Sequence, residues 1–306
     1  MIMSRIWRLL KATFQEWQKD KASRIAAALA YYTIFSIAPL LVLAIAIAGA
    51  VFGQDTAREQ IVSQLENLVG TKGAAPILVA LENASQPGAG GIASLVSIGF
   101  LLLGASGVLA QLQDALNTVW NVQPRTNQGI WEFVRKRLLS FLMVLVVGFL
   151  LMLSLILSTV ISALSKYRTD FLPGSELIWE NLDFIVSLGL TSFMFALLFK
   201  YVPDTNITWK DVGVGGTITA LLFAFGKYLL GWYLSQGSMG SAYGAAGSLI
   251  VFLVWIYYSA QIILLGAEFT QVYSYIFGSK KVSNEYLLNN SNPVVTQKSP
   301  QDRNSR

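Results

Sequence analysis

Residues 25–52 read IAAALAYYTIFSIAPLLVLAIAIAGAVF, a run with no charged side chain. A bilayer core about 30 Å thick needs roughly 20 apolar residues to be crossed as a helix. The run exceeds that length, and its residues are continuously apolar instead of alternating, so it predicts a membrane helix and not a barrel strand. Six basic side chains precede it: Arg5, Arg8, Lys11, Lys19, Lys21 and Arg24. A cleavable signal has an apolar core of only about 7–15 residues, so this helix is expected to stay in the chain.

Similar runs recur outward from this one. We place six spans at about 25–52, 91–111, 138–165, 183–202, 212–234 and 247–276. The composition agrees: 54% of the 306 residues are hydrophobic and 13% charged, against about 25% charged in soluble domains. The expected fold is all-α, a polytopic membrane protein built as a bundle of six transmembrane helices, in a membrane domain covering 25–277.

Orientation follows from the sorting of Lys and Arg. Segments 1–24, 112–137, 200–211 and the tail hold six, four, two and five of the 22, seventeen together. Loops 53–90, 166–182 and 235–246 hold two, two and none. The expected arrangement puts both termini in the cytoplasm, in a bacterial inner membrane. That sorting accounts for the net charge of +5 without a nucleic-acid partner.

Outside the spans, residues 1–24 predict a cytoplasmic amphipathic helix. Ile6, Leu10, Phe14 and Trp17 form one stripe, and Arg5, Arg8, Lys11 and Lys19 the polar side. Such a helix lies in the membrane interface among anionic headgroups, as an anchor or as a dock for a soluble partner. Segment 55–86 predicts an external helical hairpin. Its first arm carries Ile61, Leu65, Leu68 and Val69, Gly70 to Gly73 breaks it, and Pro76 opens the second arm. The hairpin is expected to act as a cap on the bundle or as a lid. Residues 278–306 are polar and charged, and are expected to be a disordered cytoplasmic tail.

The chain has no His and no Cys. That removes thiol nucleophiles, Ser–His–Asp triads and the usual zinc sites. No phosphate-binding loop stands out; Gly213-Val214-Gly215-Gly216 opens a membrane helix with no strand before it, which suits helix packing better. The chain is expected to be no enzyme and to carry no cofactor or metal.

Four features within the spans could line or gate a substrate path. The first is Tyr32, Ser36 and Pro39, where proline withdraws a donor from the Phe35 carbonyl and kinks the helix. The second is Gln111, Asp114 and Asn117, on the polar side of a helix whose other face is Leu109, Leu112, Leu116, Val119 and Trp120; these polar groups face water or a path. The third is the small-residue stretch 237–248 with Tyr243, Gly244 and Gly247, which permits close helix packing or a broken segment along a cavity. The fourth is the ionisable pair Lys227 and Glu268, with Gln261 seven residues before the carboxylate. Intramembrane charges are costly and point to function. By depth, Lys227 is too far from Glu268 to pair and is expected to snorkel outward, leaving Lys200 or Lys210 within reach of the carboxylate.

The stretches Ala26-Ala27-Ala28-Leu29-Ala30-Tyr31-Tyr32, Ser36-Ile37-Ala38-Pro39, Leu112 to Trp120, Gly240 to Ser248 and Leu265-Gly266-Ala267-Glu268-Phe269 resemble the YihY/BrkB family of bacterial inner-membrane proteins. The resemblance covers about residues 5–277. It implies six helices and a polytopic inner-membrane protein, and brings no assigned substrate. Members of that family are sometimes labelled ribonuclease BN; a chain without His, Cys or a metal-ligating carboxylate cluster in a water-exposed domain has nothing to run hydrolysis on. The expectation is a protein that transports or flips a lipid or small solute, with membrane lipids as its surroundings. The alternative is a non-transporting membrane scaffold or regulator.

Overall fold

The computed structural model describes residues 2–84, 107–122, 176–235 and 247–278, together with Leu142, Val146, Phe149, Leu150, Leu153 and Leu157. The ordered elements among them are helices: α1 Ile2–Lys19, α2 Ala22–Phe52, α3 Gln54–Ala84, α4 at residues 107–119, α5 Glu176–Tyr201, α6 Trp209–Ser235 and α7 Gly247–Ile276. Four are long and apolar enough to cross a membrane, over Ala22–Val42, Phe184–Tyr201, Trp209–Trp232 and Gly247–Ile276. These fall on the first, fourth, fifth and sixth expected spans. Of the second and third, the described residues include only 107–111 and the six positions between 142 and 157.

Helix α7 is central, packing against α1, α2, α3 and α6. One apolar cluster joins Ala22, Ala26 and Leu29 of α2 to Leu116 and Val119 of α4, Phe199 of α5, Ala220 of α6 and Leu264 and Ala267 of α7. Small residues on α2 and α7 let these backbones approach. The outward faces carry Phe184, Ile185, Leu221, Phe225 and Leu229, all exposed. In water such a surface would be a liability; in lipid it is the solvent-matched face.

The α6–α7 contact fixes an antiparallel register. Thr219 sits over Gly266 and Thr270 sits over Gly215, a reciprocal pair, and Tyr258 covers Gly226 in the same register further out. A side chain on any of these glycines would occupy the partner's atoms. Each threonine donates its hydroxyl to its own helix, Thr219 to Gly215 O at 2.7 Å and Thr270 to Gly266 O at 2.6 Å. Thr33, Ser192, Thr217 and Ser259 back-bond in the same way. Hydroxyls satisfied inside their own helix enter lipid without an orphaned donor. Gly216 meets Ser192 O and Ala196 of α5, so the Gly213–Gly216 stretch serves packing on two sides.

The exposed side of α6 gives its own measure of the membrane. Trp209 and Trp232 are exposed at its two ends. Twenty-three residues at 1.5 Å each separate them by about 34 Å, close to the thickness between the aromatic belts of a bilayer. Trp209 stacks on Phe193 and meets Tyr201 edge-on, forming one belt.

Helix α3 breaks at Gly70, whose φ of 75° turns the chain, and helix resumes at once through Pro76. Arg58 of the first arm reaches Glu82 of the second at 3.7 Å, so the arms fold back on each other. Ile77 and Leu81 are buried with Ala30 and Leu41 of α2 and Phe252 and Ile256 of α7. The second arm is therefore packed into the bundle wall.

Candidate functional site

The site forms where four chain segments meet at one end of the bundle. Helix α4 ends at Asn121, a left-handed residue with φ 51°, where Val122 N–H returns to Asn117 O at 2.9 Å. This is the terminating geometry that Asn tolerates. Gln271 of α7 donates its amide to the Val119 carbonyl, one of the last carbonyls of α4. Beside it, Gln113 and Asn117 hold Asp204 of the α5–α6 connection. Gln113 Nε2 donates to Oδ1 at 3.2 Å and Asn117 Nδ2 to Oδ2 at 3.1 Å, while Asp204 N–H donates to Asn117 Oδ1 at 2.8 Å.

Glu268 lies further in on α7. Gly266 and Ala267 before it admit α6 and α2 closely, and the α1–α2 turn is drawn against it. That turn is tight: Lys21 is left-handed with φ 55° and ψ 41°, and Ala22 beside it is fully buried. The turn places Asp20 at hydrogen-bonding range of Glu268, with Glu16 and Lys19 acting on the same carboxylate. Glu268 is 0% exposed and Glu16 4%. Glu16 is paired with Lys19 at 2.8 Å. Neither oxygen of Glu268, nor Oδ2 of Asp20, has a donor within reach. Two ionised carboxylates cannot hydrogen-bond each other, because neither has a donor. Burial pushes the Asp20 carboxyl above its ordinary value and Glu16 adds to this, while Lys19 and the bond from Glu268 work against it.

Helix α1 is docked here by a face the apolar stripe does not mark. Leu9 packs with Phe269 and Val272 of α7, and Thr13 and Glu16 are buried along the same side. Ile6, Trp7, Leu10 and Phe14 stay exposed, flanked by the exposed Arg5, Arg8 and Lys11.

Residues 13–285 match the family model described as Virulence factor BrkB. The chain belongs to the BrkB family. It is similar to UPF0761 membrane proteins: 30% identical over 266 residues to one from Methylibium petroleiphilum, covering 84% of this chain and 60% of that protein. A relative from Psychrobacter sp. (strain PRwf-1) is 28% identical over 267 residues, 86% of this chain and 48% of the relative. One from Mannheimia succiniciproducens is 26% identical over 277 residues, 89% and 91% of the two chains. The chain thus spans about half to three-fifths of the first two relatives. No solved structure matches. Family and fold together make this a membrane protein with several apolar helices, and the matched span contains Glu16, Asp20 and Glu268.

The other sequence-predicted residues scatter. Tyr32 is exposed, in edge contact with Tyr31. Ser36 is buried, 3.2 Å from where a side chain on Gly107 would begin. Pro39 is half-buried within α2, which continues through it. Gln111 is half-buried and Asp114 exposed. Gly247 is buried at the start of α7, and Tyr243 and Gly244 lie outside the described residues. Gln261 donates to the Tyr257 hydroxyl at 2.7 Å, with its Oε1 buried and without a donor. Lys200 does not reach Glu268; it donates to the Ile207 carbonyl, and Lys210 is exposed. Sequence reasoning passed over Asp20, Glu16, Asp204 and Gln271. A signal existed for two of them: Glu16 and Asp20 are the acidic residues of an otherwise basic segment 1–24.

Proposed function

We propose that this BrkB-family protein is a non-catalytic transport protein that moves a lipid or small solute across or within the bacterial inner membrane, with both termini cytoplasmic. The observation that carries the reading is Glu268: a fully buried carboxylate in a membrane-crossing helix, facing a second carboxyl. A purely structural bundle gains nothing from such a pair, because burying an acid without a donor costs several kcal/mol (on the order of that for any unsatisfied ion). The orientation is supported by which segments meet. The α1–α2 turn, the end of α4, the 202–208 connection and the end of α7 share one end of the bundle, and these lie in or beside the segments with the Lys and Arg surplus.

Purified protein in vesicles, assayed against a panel of labelled lipids and solutes, tests this. At least one substrate should move, and Glu268→Ala and Gly244→Leu should each slow it. Movement of none overturns the reading; unchanged rates in both variants remove these residues from the path.

One observation favours a second reading, a scaffold or regulator. Helix α1 docks by one face and leaves Ile6, Trp7, Leu10 and Phe14 exposed. Loss of a copurifying soluble partner on deleting residues 1–20, with transport absent throughout, would select it.

A further inference from the structure

We propose that the Asp20–Glu268 pair is a binding site for a single proton, and that this proton latches helix α1 onto α7. The site joins two elements: Asp20 ends α1, and Glu268 sits on α7 where α1 packs. From α1 the carboxylate faces Asp20, Glu16 and Lys19. The surfaces of α2 and α4 packed around the neighbouring Ala267 contribute Ala22, Ala26, Ala115 and Leu116, all apolar. From α6 the nearby contacts are Thr219 and Ile218. Lys19, the cation of the group, is bound to Glu16. Among the described residues no three acidic groups converge to hold a metal ion. A pair of acids with no donor between them, one of them fully buried, is answered by one small positive species.

With the proton present, one carboxyl donates to the other and the α1–α2 turn is fastened. With it gone, two negative charges face each other in a low-dielectric setting, and a third, Glu16, adds to the repulsion. Helix α1 rests on α7 through a small apolar cluster of Leu9, Phe269 and Val272, and it carries Asp20 at its end, so α1 is the element that leaves. Binding forms one O–H bond on a carboxyl oxygen and breaks one in a hydronium ion of the adjoining water, and release reverses this. The half-buried position of Asp20, which pushes its carboxyl upward, is consistent with binding outside strongly acidic conditions. The inference does not depend on what, if anything, is transported.

The chain has no cysteine, so labels can be placed without background. Gln15→Cys on α1 and Lys210→Cys on α6, both at exposed positions, carry spin labels in the full-length protein in lipid nanodiscs. The distance distribution should lengthen and broaden as pH rises. Glu268→Gln and Asp20→Asn each supply a permanent amide donor, so both should hold the short distance at every pH. Infrared difference spectra should show a protonated-carboxyl band lost as pH rises, and absent from both variants. A distance independent of pH in the unmutated pair overturns the latch. A distance governed by sodium at fixed pH, or a carboxyl band retained in Glu268→Gln and Asp20→Asn, overturns the proton site. If one variant fails to fold, the other still decides.

Discussion

Gly266→Ala tests the α6–α7 register directly. A methyl at position 266 would begin 2.9 Å from both Cβ and Cγ2 of Thr219, and closer still to its hydroxyl oxygen. Carbon atoms rest at about 3.5–4.0 Å, so α6 and α7 must separate by roughly 0.6–1 Å or Thr219 must leave its rotamer. Overpacking of this kind costs about 1–3 kcal/mol. Thr219→Ala alone should cost about 1 kcal/mol or less, because the hydroxyl bonds Gly215 O within its own helix and no interhelical hydrogen bond is lost. In the double variant the new methyl enters the space left by Oγ1 and Cγ2, so the two effects should fall short of their sum by about 1 kcal/mol or more. Gly215→Ala with Thr270→Ala is the mirror experiment, since Thr270 carbons lie 2.8 Å from a methyl at 215. Gly189→Ala and Gly231→Ala are the controls: nothing lies within 4 Å of either, so each should be neutral or stabilising by up to about 1 kcal/mol through helix propensity. The assay is equilibrium unfolding in mixed micelles, followed by circular dichroism. Strict additivity of the 219 and 266 substitutions, or controls as damaging as Gly266→Ala, would refute the reciprocal contact.

Three further outcomes follow from the polar contacts. Asn117→Ala removes one donor and one acceptor from Asp204 and should cost about 1–2 kcal/mol in the same unfolding assay, with Asn117→Asp costing more because it sets two carboxylates together. Gln271→Leu keeps the volume but leaves the Val119 carbonyl without its donor, and should cost about 1–3 kcal/mol. For Asp20 the sign comes from linkage: its folded carboxyl binds a proton more tightly than its ordinary value of 3.8 implies, so stability is fullest below that value and falls as pH rises through the folded one. Asp20→Asn should flatten that fall, measured as the unfolding midpoint against pH.

The spans were legible because their signal is length and composition, which packing does not alter: the run 247–276 is the helix Gly247–Ile276. The role of Gly213–Gly216 was legible for a related reason, since glycines opening an apolar helix have few uses besides close approach. The partners of Glu268 were not legible. Depth arguments compare positions along helices that cross the membrane, and so pointed to Lys200 and Lys210. Asp20 reaches the site through a left-handed turn at Lys21, a conformation rare enough outside Gly, Asn and Asp that sequence does not advertise it. Helix α1 misled in a second way. Its most apolar stripe, Ile6, Leu10 and Phe14, faces away from the bundle, because at a membrane boundary the apolar side has lipid to meet; the docked side is the mixed face of Leu9, Thr13 and Glu16. Asn117 and Gln113 were legible as polar positions, and their partner Asp204 was hidden by the long separation in sequence.

The register also settles which charges can answer Glu268. Thr219 against Gly266 and Thr270 against Gly215 put residue 268 level with residue 217 of α6. That is about 12 Å inward from Trp209, and Lys227 is a further ten residues along, about 15 Å beyond. At that separation through a helix bundle an ion pair contributes little. Lys227 is exposed beside Tyr228, near the far aromatic belt, where a lysine extends its amine toward the headgroups. Lys200 is spent on a carbonyl and Lys19 on Glu16. Lys200 and Lys19 are thus engaged elsewhere, and Lys227 lies too far along α6. The charge that can come and go beside Glu268 is a proton, and the element positioned to respond is the N-terminal helix that brings Asp20 to it.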